Sequence, residues 1–162
     1  PLPEAQVDRF MFKLVVTYPA ASEERAIVDR MTAEEEPVVG AVADATQILR
    51  ARQLVRAVHV DYRIKDYAIA LVQATRDPTS HGLADLVPLI EYGASPRATI
   101  HLIRAAKAHA FVEARGYVLP EDVKALGLDV LRHRVILTYQ AEAEEIGPDA
   151  VVRRVLEAVP VP

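Results

Sequence analysis

The stretch Gly93-Ala94-Ser95-Pro96-Arg97-Ala98-Thr99 leaves the backbone few choices. Gly93 permits a turn that other residues resist. Ser95 suits a helix N-cap, where its oxygen accepts a bond from an orphan N–H. Pro96 suits the first helical position, which needs no N–H and has φ already set. The sequence therefore predicts a turn that becomes a helix, with Arg97 in the first turn. A cation there opposes the helix dipole. Its placement costs local stability, and an anionic ligand would offset that cost.

At 100° per residue, Leu102, Ile103, Ala106 and Ala110 share one apolar face of this helix. Arg97, His101 and Arg104 cluster on the opposite face. That cluster reads either as an anion site or as a solvated polar face.

Upstream, Phe10-Met-Phe-Lys-Leu-Val-Val16 has the composition of a strand. No second convincing strand precedes it. A lone strand must pair elsewhere, either in a sheet outside the chain or with Arg134-Val-Ile-Leu-Thr-Tyr139. In the first case residues before about Tyr18 would be poorly packed. The chain opens on Pro1 with no Met, which suggests a piece of a longer protein.

The rest reads as helices. Ser22 can cap one to about Met31, with Glu23 and Glu24 suiting its dipole. Residues 34–43 connect it to the next, opened by an Asp44/Gln47 capping box. Asp61 can cap a helix to about Arg76, buried through Ile64, Tyr67, Ala68, Leu71, Val72 and Thr75. Residues 77–94 read as a long connection, a kind that is often functional. Gly116 is placed to close the Arg97 helix. Pro120 starts another, which Gly127 divides, and Pro148 starts the last.

Composition removes several function classes. There are no cysteines, so thiolate metal sites and disulfides are absent, as suits a cytoplasmic protein. Net charge is −4, which argues against broad nucleic-acid binding. No apolar run approaches the roughly 20 residues of a membrane span. No G-x-x-x-x-G-K-[ST] loop and no acid at the end of an apolar strand occur, so the chain alone lacks a phosphate cradle and magnesium ligands. His59, His81, His101, His109 and His133 have no ligand spacing and read as structural.

Five separated motifs, in order, resemble MoxR-type AAA+ ATPases. They are the opening Pro1-Leu-Pro-Glu-Ala-Gln-Val-Asp-Arg-Phe10, Gly93 to Ala98, Tyr117-Val-Leu-Pro-Glu-Asp-Val123, Val130-Leu-Arg-His-Arg134, and Val155 to Pro162. The resemblance implies a mainly α fold: a helical lid domain over 21–162. It makes 1–20 the end of an α/β ATPase core, with its last strand. It implies that Arg97 is sensor 2, reaching the phosphate of ATP held by its own subunit's core. It implies that Arg9, within Val7-Asp8-Arg9-Phe10, is an arginine finger acting in trans on the neighbouring subunit's ATP; a plain ion pair of Arg9 with Asp8 or Glu4 is the alternative. ATP and Mg²⁺ in the intact protein, a homo-oligomeric ring (a hexamer in the usual case) and an unidentified client protein follow from the same resemblance, with chaperone-like remodelling or metal-cofactor insertion as the output. The lid of a related branch such as magnesium chelatase, a self-standing helical interaction module and, less well supported, a helix-turn-helix DNA binder remain open at this point.

Overall fold

The computed structural model describes residues 3–35 and 37–162. Its elements in chain order are α1 (Glu4–Val7), α2 (Ala21–Met31), α3 (Ala45–Ala57), α4 (Tyr62–Ala74), β1 (Ile90–Tyr92), α5 (Pro96–Val112), α6 (Pro120–Leu131), β2 (Ile136–Leu137), α7 (Tyr139–Ala143) and α8 (Pro148–Ala158). The mainly helical fold is the one the sequence predicts. Two compact units are present: Leu14–Arg52, and the stretch up to Lys13 together with Gln53–Pro162.

The unit Leu14–Arg52 holds α2 and most of α3, and neither helix buries a residue. The Asp44/Gln47 capping box forms as expected, with Gln47 N–H donating to Asp44 Oδ1 (2.7 Å) and Asp44 N–H to Gln47 Oε1 (2.9 Å). Ser22 does not cap α2. The N-cap lies two residues earlier, at Ala20, whose N–H donates to Glu23 Oε2 (2.8 Å). Ile27, Val28 and Met31 stay half-exposed or more.

In the second unit Asp61 caps α4 through Arg63 N–H (2.9 Å), and Ile64, Tyr67, Ala68, Leu71 and Val72 are buried as their spacing predicts. α5 packs against α6 more extensively than any other pair of elements does, and α4 and α8 complete the core around Leu71, Leu86, Leu102, Val130, Val152 and Val155.

Residues 10–16, read as a strand, carry no ladder among the described residues. A strand needs a partner along its length. Here the backbone bonds made are Phe10 N–H to the Val7 carbonyl (3.1 Å) and Lys13 N–H to the Asp129 carbonyl (2.9 Å). Nor does the segment pair with 134–139. The ladder forms between β1 and β2, antiparallel, with Ile90 opposite Leu137 and Tyr92 opposite Ile136. The connection 77–94 is more ordered than expected. It contains the 3₁₀ turns Thr79–His81 and Ala84–Leu89 before β1. Leu83, Leu86 and Leu89 are buried, and their spacing of three matches the three residues per turn of a 3₁₀ helix.

Two glycines act differently from the expectation. Gly127 does not divide a helix, since α6 runs unbroken through it. A Cβ there would stand 2.7 Å from Leu156 Cδ2, so the missing side chain lets α8 approach. Gly116 does not close α5. Ala114 takes the left-handed conformation (φ 55°) at a cost of about 1 kcal/mol, and Arg115 N–H reaches back to the Ala110 carbonyl (2.8 Å). Gly116 instead offers its carbonyl to His59 N–H (2.9 Å) in a single parallel bridge.

Candidate functional site

The turn into α5 is built as its sequence demands, with one change of reason. Ser95 is the N-cap, its Oγ accepting from Arg97 N–H (3.3 Å), and Pro96 opens the helix. Gly93 does not have a positive φ. Its role is close approach, because a Cβ would meet the Thr75 carbonyl oxygen at 2.4 Å. Adjacent Ala94 fixes the turn to the end of α4: its N–H donates to Thr75 Oγ1 (2.9 Å) and its carbonyl accepts from Arg76 Nε (2.6 Å). The start of α5 is therefore held on a buried, hydrogen-bonded support, and Arg97 projects from it with half of its side chain exposed.

Asp8 compensates the unfavourable cation. Its Oδ2 lies 3.8 Å from Arg97 Nη1. The same carboxylate accepts from Ser95 Oγ (3.0 and 3.1 Å) and from Arg134 Nε (3.1 Å). Arg97 thus holds the weakest of these contacts, and its guanidinium stays accessible to an incoming anion.

Arg134 is the hub on the other side. Its side chain has no solvent exposure. Beyond Asp8 Oδ1 it donates to the carbonyls of Asp8 (2.8 Å), Met11 (3.3 Å), Phe10 and Val130. It also donates to His101 Nδ1 (2.6 Å), which fixes the His101 proton on Nε2. Burial and the nearby arginines 134, 104 and 97 hold the His101 pKa below its ordinary value, so the ring is neutral at pH 7. His133 is held low mainly by burial, although its Nε2 donates to the Phe10 carbonyl (3.1 Å). Burial also lowers the pKa of Arg134, with Asp8 opposing.

The structure brings Arg97 into this cluster but leaves Arg9 outside it. Arg9 is exposed in the turn that follows α1, between Asp8 and Phe10, both of which Arg134 anchors. Asp8 pairs with Arg134 and Arg97, and among the described residues no Arg9–Asp8 ion pair is formed; the Glu4 side chain, the other expected partner, lies outside what the structure describes. The backbone of Asp8–Lys13 is hydrogen-bonded to Arg134, His133 and Asp129, yet Phe10, Phe12, Lys13 and residues 14–18 are exposed, in keeping with the expectation of poor packing before Tyr18. His101 is likewise not on a solvated face: it is buried against Arg134.

The sequence names Asp8 only as a possible partner of Arg9 and Arg134 only as the end of a motif, and links neither to Arg97. The available signal was three basic residues, Arg132, His133 and Arg134, embedded between the apolar Val130-Leu131 and Val135-Ile136. Charge inside an apolar run marks a buried, paired group. A cavity of about 220 Å³ borders Asp8, Gly93, Ser95 and Arg134. It is smaller than an ordinary ligand pocket. Among the described residues no His/Asp/Glu group could hold a metal ion, and no helix is long and apolar enough to cross a membrane.

Comparison with known proteins gives the family context of the chain. Residues 86–155 match the AAA lid domain. The whole chain is 43% identical to Chaperone MoxR1 of Mycobacterium tuberculosis, covering 43% of that protein. It is 36% identical to Protein MoxR of Paracoccus denitrificans, with 99% of the chain aligned to 51% of the relative. A crystal structure of a predicted ATPase from Cytophaga hutchinsonii superposes with a TM-score of 0.95 at 41% identity, covering all of this chain and 49% of that one. The chain spans about half the length of the relatives it matches. With an AAA lid domain over 86–155 and likeness to these proteins along its entire length, the chain belongs to the MoxR-type AAA+ ATPases.

Proposed function

We propose that this lid couples ATP binding and hydrolysis to chaperone-like work on client proteins, in a cytoplasmic ring of identical subunits, in the usual case a hexamer. Arg97 is the sensor of its own subunit's nucleotide, whose P-loop core lies outside this chain. Arg9 is the finger presented to the nucleotide of the neighbouring subunit. The observation that carries the reading is the loosely held Arg97, 3.8 Å from a carboxylate whose charge Arg134 already balances.

In the whole protein ATP with Mg²⁺ would supply the reactive phosphoanhydride. From this chain, Arg97 and Arg9 fit that group. A guanidinium stays charged at every physiological pH and meets phosphate oxygens with a planar fork. Arg97 would leave Asp8 for phosphate at little cost, since an exposed pair of this kind is worth roughly 1 kcal/mol or less. Arg9 is exposed and can reach another subunit.

The test uses the full-length protein. Arg97→Ala should weaken ATP binding or lower kcat about ten- to hundredfold, the range of a charged hydrogen bond to phosphate. Arg9→Ala should lower turnover on the order of 10³-fold or more with ATP binding retained. Mixed rings of Arg9→Ala subunits and subunits lacking the P-loop lysine should regain activity, because some interfaces then hold one intact half-site from each. Turnover that stays near zero at every mixing ratio, with subunit exchange verified, would exclude the trans role.

A further inference from the structure

We propose that Arg134 is a positioning residue that fixes the backbone on both sides of Arg9 and ties it to the helix that carries Arg97. The proposal rests on the reading of Arg9 as a finger. A guanidinium buried to this degree gives up all its hydration, and an apolar side chain of similar volume would serve stability as well or better. Its geometry is that of a clamp. The fork spans the carbonyls of Asp8, Phe10 and Met11, so the residues on both sides of Arg9 are bound while the Arg9 side chain is exposed. The Nε group holds the Asp8 carboxylate, which in turn accepts from the N-cap Ser95 of α5. The same Nη2 that meets the Asp8 and Phe10 carbonyls also meets His101, one turn along the helix that starts beside Arg97, sharing its two hydrogens among the three acceptors.

One buried side chain therefore connects the turn bearing the trans arginine with the helix bearing the cis arginine. A shift of α5 on nucleotide binding at Arg97 would be passed to the Arg9 turn through Asp8 and Arg134, and would set when the neighbouring site is completed. Lysine could replace the charge on Asp8. It could not replace the fork, because a single ammonium cannot span the Asp8, Phe10 and Met11 carbonyls from one trajectory.

The test is turnover and ATP affinity in the full-length protein for Arg134→Gln, Arg134→Lys, Arg9→Ala, and each Arg134 change combined with Arg9→Ala. Arg134→Gln should lower kcat about a hundredfold, the scale of a misplacement near 1 Å. ATP affinity should stay within about fivefold, since only the exposed Asp8–Arg97 pair can tighten. Combined with Arg9→Ala it should cause no further loss, because Arg134 acts through Arg9. If the two losses multiply, or if affinity falls with kcat unchanged, the proposal is overturned. Arg134→Lys covers the case in which the glutamine variant does not assemble: its kcat should also fall at unchanged affinity, again without adding to Arg9→Ala, and wild-type kcat would overturn the clamp. Full activity of Arg9→Ala alone would instead remove the finger reading on which the proposal stands, a result separate from any obtained with Arg134.

Discussion

Asp122 locks α5 to α6, and changing it to Asn should loosen the frame that presents Arg97. The carboxylate is buried in the first turn of α6. It accepts from Arg115 Nη1 (2.7 Å) and Nη2 (2.5 Å), from Leu119 N–H (2.7 Å) and from His109 Nδ1 on α5 (2.7 Å). Burial alone would raise its pKa, but Arg115, the Leu119 N–H and His109 outweigh burial and hold it at about 2, against an ordinary 3.8. That difference is worth about 2.5 kcal/mol at neutral pH. A chain of this size loses roughly 2–4 °C of midpoint per kcal/mol, so Asp122→Asn should melt roughly 5–10 °C lower. The folded pKa is depressed, so the contribution is complete above the unfolded value near 4 and is lost as pH falls through about 2. Urea midpoints of both proteins should differ fully at pH 7 and 5 and converge toward pH 3 and below. Equal midpoints at pH 7, or a gap that persists undiminished to pH 2, would refute this account of the cluster.

Other expectations follow from single contacts. Gly93→Ala should cost about 1–3 kcal/mol, because its Cβ meets backbone oxygen that cannot rotate away; Gly116→Ala, with nothing within 4 Å, should change the melting midpoint little, and the pair measured together separates close approach from chain entropy. Gly127→Ala should cost less than Gly93→Ala, since the Leu156 side chain it meets can change rotamer. His101 and His133 are both held below 6.5 by burial, so the unfolded chain takes up protons that the native one refuses, and stability should fall as pH drops below about 6.5. His101→Gln, whose amide can still accept from Arg134, should flatten that slope in midpoints measured from pH 7.5 to 5.5; an unchanged slope would assign it to other groups.

The legible parts of the chain are those whose signal is local. Ser95-Pro96, Asp44 with Gln47, and Asp61 each stop or start a helix through atoms within three residues, and each does so in the structure. The stripe from Ile64 to Val72 has one period and one face, and it is buried. What was not legible depends on partners far along the chain. Residues 10–16 have strand composition, but of the two pairings expected for them the one with 134–139 does not form, and the ladder between the shorter segments 90–92 and 136–137 was not legible because its two strands lie more than 40 residues apart. Gly127 and Gly93 look like conformational breaks in sequence, and both are places where another element comes too close for a Cβ. His101 falls beside Arg97 and Arg104 on a helical projection, yet it is buried because Arg134 arrives from 33 residues away.

Arg97 could be read from sequence because a cation in a first helical turn is locally unfavourable, and an unfavourable local choice asks for a compensating partner. The compensation turned out to be shared. Asp8 meets the arginine on α5, but Arg134 has already taken one of its oxygens and Ser95 bonds to both. A carboxylate devoted to Arg97 alone would hold it in a closed pair and hide it from phosphate. With no carboxylate at all, the helix start would carry an unopposed charge. A carboxylate divided between a buried arginine and an exposed one avoids both: it steadies α5 while leaving Arg97 half-exposed and weakly held. Asp8, which moderates the charge of Arg97, is also the residue before Arg9, so a displacement of the Asp8 backbone would move both arginines.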